Sequence, residues 1–174
     1  MLFLLYINPG KKGENYPLIA IYPSLVPGHY PDNNTEQFLA DLSWVKELGF
    51  IGVRVHPKDY DDYGYGRVAN DLENLGLKFV MVIEFNITND QGLFDREITY
   101  FSNVAREIVH KTNLLWYAIK YPYDWYQNEV QMDQPIYNFQ LQSMINEIDK
   151  IDPDHKIFLV SGRIDTIATP PTDF

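Results

Sequence analysis

Residues 44–55 read WVKELGFIGVRV, and this stretch decides the fold. Its first half closes a helix that Thr35 caps and that carries apolar residues at helical spacing as far as Leu48. Gly49 then stops the helix, since glycine readily adopts the left-handed conformation of a helix end. Residues 50–55 form a short apolar run, which is typical of a buried strand. The stretch therefore predicts a helix followed at once by a buried strand.

The same strand–helix alternation recurs along the whole chain. Apolar strands are predicted to start near residues 18, 50, 78, 114 and 156. The helices predicted between them cover residues 35–48, 67–75, 94–110 and 139–151. A long aromatic loop is predicted from Lys120 to Tyr137, before the last helix. Strands that alternate with helices in this way are expected to be parallel and joined by crossover helices.

Parallel strands of this kind fit either an open doubly wound sheet or a barrel. The loop at residues 22–28 contains neither a G-x-G-x-x-G motif nor a P-loop, which disfavours nucleotide-binding folds. Loops after strands are long and polar, whereas those after helices are short, as in barrel enzymes. We therefore predict an α/β fold of the (β/α)8 TIM-barrel type, incomplete, with about five βα units, since a full barrel needs roughly 250 residues.

The chain is expected to form a single domain, with an N-terminal strand and loop (1–16), βα repeats (17–165) and a tail (166–174). Either a longer protein has been cut, or this is an unusual partial barrel. Exposed edge strands are a liability. We therefore expect a second copy, or a missing C-terminal part, to cover the edges of the sheet.

Composition excludes several classes of function. A net charge of −10 argues against binding to nucleic acid, which needs clustered Lys and Arg. The absence of cysteine excludes disulfides and thiolate metal sites. No histidine spacing typical of zinc is present, and neither a metal nor another cofactor is predicted. The apolar start, residues 1–7, is too short to span a membrane.

Two junctions in the sequence resemble the large clan of retaining glycoside hydrolases. In that clan, as in residues 44–55, a helix ending in Lys-Glu-Leu-Gly-Phe is followed by a strand ending in Val-Arg. Residues 74–82 look like the same clan's next helix–strand junction, and the resemblance covers about residues 17–165. It implies a (β/α)8 barrel in which Arg54 matches the strand-2 arginine that orients the nucleophilic glutamate.

The fourth predicted strand departs from the pattern of that clan. The clan ends this strand with Asn-Glu, whose glutamate is the acid/base, whereas Lys120 and Tyr121 stand here. The clan's nucleophile lies on strand 7, which this chain does not contain. Since glycoside hydrolysis needs two carboxyl groups, we predict substitutes for them at strand ends. The predicted catalytic residues are Glu84, Asp124 and Asp165, and the alternative is that these carboxylates only solvate loops.

Aromatic and polar residues in the strand-end loops are the candidates for contact with a sugar. The predicted substrate-binding residues are Arg54, His56, Tyr22, Tyr121 and Trp125. His56 is as well explained by a structural role. The loop tyrosines, Tyr60, Tyr63 and Tyr65 among them, suit a stacking platform, packing within the loop or a protein interface.

Two functions remain open on the sequence. The first is a glycoside-hydrolase-like barrel that hydrolyses or binds a polysaccharide. The alternative is a non-catalytic barrel module of an extracellular or cell-surface assembly. N-glycosylation triplets at residues 33–35 and 86–88 favour an extracellular location only slightly, because such triplets are common by chance.

Overall fold

The computed structural model describes residues 19–21, 35–60, 62–85, 87–121 and 134–161. Within these ranges, strands and α-helices alternate as the sequence predicts, and a short 3-10 helix (Pro57–Asp59) follows the second strand. The strands are β1 (Ile19–Ile21), β2 (Gly52–Val55), β3 (Lys78–Ile83), β4 (Leu114–Tyr121) and β5 (Ile157–Ser161). The α-helices are α1 (Thr35–Glu47), α2 (Tyr65–Asn74), α3 (Gln91–Ile108) and α4 (Gln134–Ile151).

The strands of the described residues form one sheet in the order β1-β2-β3-β4-β5, which is their order in the chain. β1 pairs with β2, β2 with β3 and β4 with β5, each time in parallel. A doubly wound sheet would reverse its strand order at a switch point, and this sheet does not. The predicted fold class is confirmed: the described residues form four βα units and a fifth strand of a partial, TIM-barrel-like α/β fold.

The chain divides into two compact units, Met1–Met81 with Lys111–Leu115 and Val82–His110 with Trp116–Phe174. In the first unit, α1 turns one apolar face inward, and Phe38, Leu42 and Val45 on that face are at most 1% exposed. Their spacing of three and four residues places them on one stripe of the helix. The sequence pattern that predicts the helix is thus also the pattern of its burial.

Gly49 ends α1, as predicted. Its φ of +87° is accessible to glycine without strain. The Gly49 amide donates to the Lys46 carbonyl over 2.9 Å, and the Phe50 amide donates to the Val45 carbonyl over 3.4 Å. These two bonds satisfy carbonyls that the helix leaves without a partner, and the chain turns directly into β2.

Two loop tyrosines belong to the core of the first unit. Tyr60 is 3% exposed and Tyr63 is 8% exposed, and each ring centroid lies 5.9 Å from that of Phe38. The Tyr63 hydroxyl donates to Asp71 Oδ2 over 2.7 Å, and the Arg67 guanidinium lies 4.0 Å from the centre of its ring. Of the interpretations left open by the sequence, packing within the loop is the correct one for Tyr60 and Tyr63.

In the second unit, α3 and α4 pack together through apolar faces. The fully buried side chains include Phe94, Phe101, Val104 and Ile108 on α3 and Met144 and Ile148 on α4. A salt bridge of 3.7 Å joins Arg106 to Glu147 at the partly exposed rim of this contact. Because the buried faces are apolar, the burial of apolar surface stabilises the contact between the two helices more than this ion pair does.

The second unit also buries a carboxylate. Asp152, directly after α4, is 0% exposed and accepts a 2.7 Å hydrogen bond from the hydroxyl of the equally buried Tyr117. The His155 amide donates to Asp152 Oδ1 over 3.2 Å, and the ring Nδ1 of His155 lies 2.9 Å from the same oxygen. A buried charge needs such partners, since an unpaired one is costly.

Several predicted boundaries were wrong. The loop predicted from Lys120 to Tyr137 is shorter at both ends, because β4 continues through Tyr121 and α4 begins at Gln134. The register pairs Tyr121 with Ser161, so β5 carries β4 beyond its apolar run. The third helix begins at Gln91 rather than at its first apolar residue, because the Asp90 side chain caps it by accepting from the Leu93 amide over 3.1 Å.

No helix among the described residues has both the length and the apolarity needed to cross a membrane.

Candidate functional site

The second unit brings two predicted strand-end residues together. Glu84 directly follows β3, and Lys120 lies next to the last residue of β4. Lys120 Nζ lies 2.7 Å from Glu84 Oε1, with side-chain exposures of 36% and 48%. Active sites of (β/α) barrels are built at the carboxyl ends of the strands. The predicted catalytic carboxylate therefore lies at the expected end of its strand, with a cation against it.

The ion pair engages one carboxylate oxygen of Glu84, since Lys120 Nζ donates a hydrogen bond to Oε1. A carboxylate paired with an ammonium group suits the part of a base, a nucleophile or an acceptor for hydroxyl groups. The exposure of the pair means that it adds at most about 1 kcal/mol to stability. Its interest is therefore chemical rather than structural.

The first unit carries Arg54 and His56 at the carboxyl end of β2. Arg54 is within the strand and His56 follows it directly, and Arg54 Nη2 lies 3.4 Å from His56 Nε2. Both side chains are half-buried. A guanidinium only donates hydrogen bonds, so a bond between the two requires the histidine tautomer whose Nε2 accepts. The pair places a guanidinium beside an imidazole at the strand end.

A clamp between the loop after β3 and α4 was not anticipated from the sequence. Gln140 is 3% exposed, and its side-chain amide pairs with the backbone of Thr88. The Thr88 amide donates to Gln140 Oε1 over 3.1 Å, and Gln140 Nε2 donates to the Thr88 carbonyl over 2.6 Å. The available signal was a glutamine in line with Met144 and Ile148, four residues apart, on the buried face of a helix.

The clamp borders an open hollow of about 280 Å³, which we call the Phe139 hollow. It lies between the loop after β3 and the first turns of α4, and Phe139 is 61% exposed at its side. The residues that line it are Thr88, Asn89, Gln91, Ile136, Phe139 and Gln140. In the sequence, Phe139 served only as the first residue of a predicted helix.

The remaining predicted site residues are not tested by the structure. Tyr22, Asp124, Trp125 and Asp165 lie outside the described residues. Tyr121 ends β4, and the structure describes its backbone alone. Of the predicted catalytic carboxylates, Glu84 is therefore the one whose surroundings are known.

Within the described ranges, no group of three or more His, Cys, Asp or Glu side chains is placed to hold a metal ion. Burial and then the hydrogen bond to Asp71 raise the pKa of Tyr63 to about 12, and burial and the hydrogen bond to Asp152 raise the pKa of Tyr117. Both shifts arise from packing in the core.

No protein-family model matches the sequence, and no curated protein matches it. Solved structures match in fold. A GH5_18 protein from Streptomyces cattleya, in complex with GlcNAc, has a TM-score of 0.65 at 14% identity, over 83% of this chain and 44% of that chain.

Two further solved structures are also similar to this chain in fold. β-Glucuronidase 3 of Bacteroides uniformis has a TM-score of 0.58 at 12% identity, over 71% of this chain and 16% of that chain. A xylose isomerase domain protein from Alicyclobacillus acidocaldarius subsp. acidocaldarius has a TM-score of 0.53 at 17% identity, over 80% and 48%. The chain thus spans less than half the length of each of the three proteins. At these identities the likeness is one of fold, and in fold the chain is similar to part of sugar-processing (β/α) barrels.

Proposed function

We propose that this chain is a carbohydrate-active barrel, similar to glycoside hydrolases, that takes a polysaccharide at the carboxyl ends of its strands. The observation that carries the proposal is the Glu84–Lys120 pair, a carboxylate and an ammonium 2.7 Å apart at neighbouring strand ends. Charged groups of both kinds hydrogen-bond sugar hydroxyls. The likeness in fold to sugar-processing barrels supports the same assignment.

Hydrolysis needs a second carboxyl group, about 5–5.5 Å from the first for retention and about 6.5–9.5 Å for inversion. Glu84, beside Lys120, takes the role of base or nucleophile. Asp124 or Asp165 then supplies the proton to the leaving oxygen. Arg54, His56, Tyr22, Tyr121 and Trp125 contact the sugar in this proposal.

Lys120 also favours the second candidate function, a non-catalytic barrel module of an extracellular or cell-surface assembly. Lys120 and Tyr121 stand where the retaining clan has Asn-Glu, whose glutamate is the acid/base, and the Lys120 ammonium group lies against Glu84 Oε1. A lysine cannot replace a tuned glutamic acid as the proton donor. Such a module serves the assembly and cleaves no glycan.

The experiment combines glycan-array binding with a panel of chromogenic glycosides. The proteins compared are wild type, Glu84→Gln, Asp124→Asn and, as a control, Asp149→Asn, which alters an exposed carboxylate on α4. For an enzyme, Glu84→Gln lowers the hydrolysis rate by roughly 10²–10⁴-fold, the usual contribution of an acid or base. The control leaves the rate unchanged.

The outcomes separate the two candidates. Hydrolysis that both site variants remove establishes an enzyme with relocated carboxylates. Binding without hydrolysis, weakened by Glu84→Gln, establishes a saccharide-binding barrel. If wild type neither binds nor cleaves any glycan on the panel, the carbohydrate proposal is wrong and the assembly module takes its place.

A further inference from the structure

Phe139 has the most exposed large apolar side chain of the described residues, at 61%, compared with 48% for Trp44. A single exposed apolar side chain needs no explanation by itself. Phe139, however, lines the Phe139 hollow together with Ile136 and four polar residues. An aromatic side chain beside a few polar groups in a small concave space is the usual make-up of a ligand site.

Hydrogen bonds within the protein fix the walls of the Phe139 hollow. Gln140 makes both of its amide bonds to the Thr88 backbone, at 3.1 and 2.6 Å. The Asp90 amide donates to Thr88 Oγ1 over 3.0 Å, which fixes the turn that leads into α3. The two walls are thus joined before any ligand arrives, so binding does not have to order them.

The lining residues restrict the chemistry of a ligand. None of the six described lining residues is charged, so none of them offers a cation to a phosphate or a carboxylate. Asn89 and Gln91 are exposed and carry amide groups, which both donate and accept hydrogen bonds, and Gln91 Nε2 already donates to Asp95 Oδ1 over 2.7 Å. These six residues suit a neutral ligand, with an apolar face for Phe139 and hydroxyl groups for the amides.

We infer that the Phe139 hollow is a subsite for one neutral pyranose ring of an oligosaccharide, stacked on Phe139 and hydrogen-bonded by Asn89 and Gln91. The inference rests on the proposed function and adds to it the location of one subsite and the neutral charge of the sugar that binds there. A volume of about 280 Å³ suits one ring rather than a large cofactor.

The loop after β3 connects the subsite to the strand-end pair. Glu84 begins this loop and Thr88 borders the hollow, and four residues of extended chain span at most about 14 Å. An oligosaccharide of a few units therefore reaches from the hollow to Glu84. The ring on Phe139 anchors the chain, and Glu84 meets a neighbouring unit.

The test is an NMR titration of the full chain, labelled with ¹⁵N, with cellotetraose, xylotetraose, mannotetraose and chitotetraose as separate probes. One of these is expected to shift the backbone amides of residues 88–91 and 136–140. Phe139→Ala is expected to weaken that binding by about tenfold, the worth of one aromatic contact. Phe139→Tyr keeps the aromatic face and the affinity. Trp44→Ala, which removes an exposed aromatic ring from the other unit, is the matched control and changes nothing.

The result also distinguishes the subsite from the proposed function. Shifts confined to Glu84, Lys120 and their neighbours, with equal affinity in Phe139→Ala, would overturn the subsite and leave the carbohydrate proposal standing. An absence of shifts with every probe overturns both. Amides of the hollow that shift with protein concentration alone would show a contact between copies of the chain, and the subsite would be wrong.

Discussion

Replacing Tyr117 by phenylalanine removes one hydroxyl from the interior of the second unit. That hydroxyl donates over 2.7 Å to Asp152, and both residues are 0% exposed. Asp152 otherwise depends on His155, through the backbone amide at 3.2 Å and the ring nitrogen at 2.9 Å. In the variant, the carboxylate loses a donor at a place where water is excluded.

The size of the expected loss in unfolding free energy follows from the burial of Asp152. A hydrogen bond to a charged group contributes about 1.5–3 kcal/mol, and a buried acceptor left unsatisfied bears its full desolvation cost. We therefore expect Tyr117→Phe to lower the free energy of unfolding by about 2 kcal/mol. Tyr63→Phe breaks a bond of the same 2.7 Å length, but its acceptor Asp71 is only half-buried. Because water can replace that donor, the expected loss is below about 1 kcal/mol.

Urea unfolding of wild type and the two variants, followed by circular dichroism, measures both losses under one set of conditions. The m-values should agree, since the surface exposed on unfolding is nearly unchanged. A loss of unfolding free energy in Tyr117→Phe that is no larger than the loss in Tyr63→Phe would contradict this expectation. In that case the burial of Asp152 would not set the strength of its hydrogen bond.

Two further predictions concern the first unit and α3. Burial and the hydrogen bond to Asp71 raise the pKa of Tyr63 from 10.0 to about 12, so its stabilisation is complete below pH 10 and is lost as the pH rises toward 12. Urea unfolding between neutral pH and pH 12 should show a smaller alkaline loss in Tyr63→Phe, and equal losses would contradict the assignment. Gly52→Ala would place its Cβ 2.5 Å from the Lys78 carbonyl oxygen, and a cost of about 1–3 kcal/mol is expected. Gly92→Ala, whose Cβ meets nothing closer than 3.4 Å, is the control and should be neutral or stabilising; a similar loss in both variants would refute the clash.

The order and type of the secondary-structure elements could be predicted because burial leaves a periodic mark on the sequence. The inner face of α1 repeats at the helical period, and in β3 the residues from Phe79 to Ile83 are all at most 3% exposed. Such continuous apolar runs are typical of parallel strands covered on both faces. The parallel βα arrangement follows from these two patterns together.

The ends of elements followed other rules. The end of β4 is set by its pairing with β5, a contact between residues about 40 positions apart, such as Tyr121 and Ser161. The start of α3 is set by the Asp90 cap rather than by an apolar residue. Neither the strand pairing nor the helix cap leaves a mark on the local hydrophobic periodicity. The boundaries were therefore missed although the strands and helices themselves were predicted.

The candidate site was predictable only in part, for a similar reason. Glu84 could be placed because a polar residue directly after an apolar strand lies at the carboxyl end of that strand. Its contact with Lys120 joins positions 36 residues apart, and local sequence carries no sign of it. Gln140 and Phe139 were missed because helix periodicity predicts which residues face inward, not which polar residue there finds a partner or which apolar one stays outside.

Lys120 bears on both candidate functions. Hydrolysis requires one carboxyl group that keeps a proton and another that does not. In the proposed function, Glu84, 2.7 Å from Lys120, takes the second role, and Asp124 or Asp165 supplies the acid. Saccharide binding makes no such demand, because a carboxylate and an ammonium group both hydrogen-bond hydroxyl groups as they stand. The proposal that the chain binds a saccharide therefore asks less of the site than the proposal that it hydrolyses one, which also requires Asp124 or Asp165.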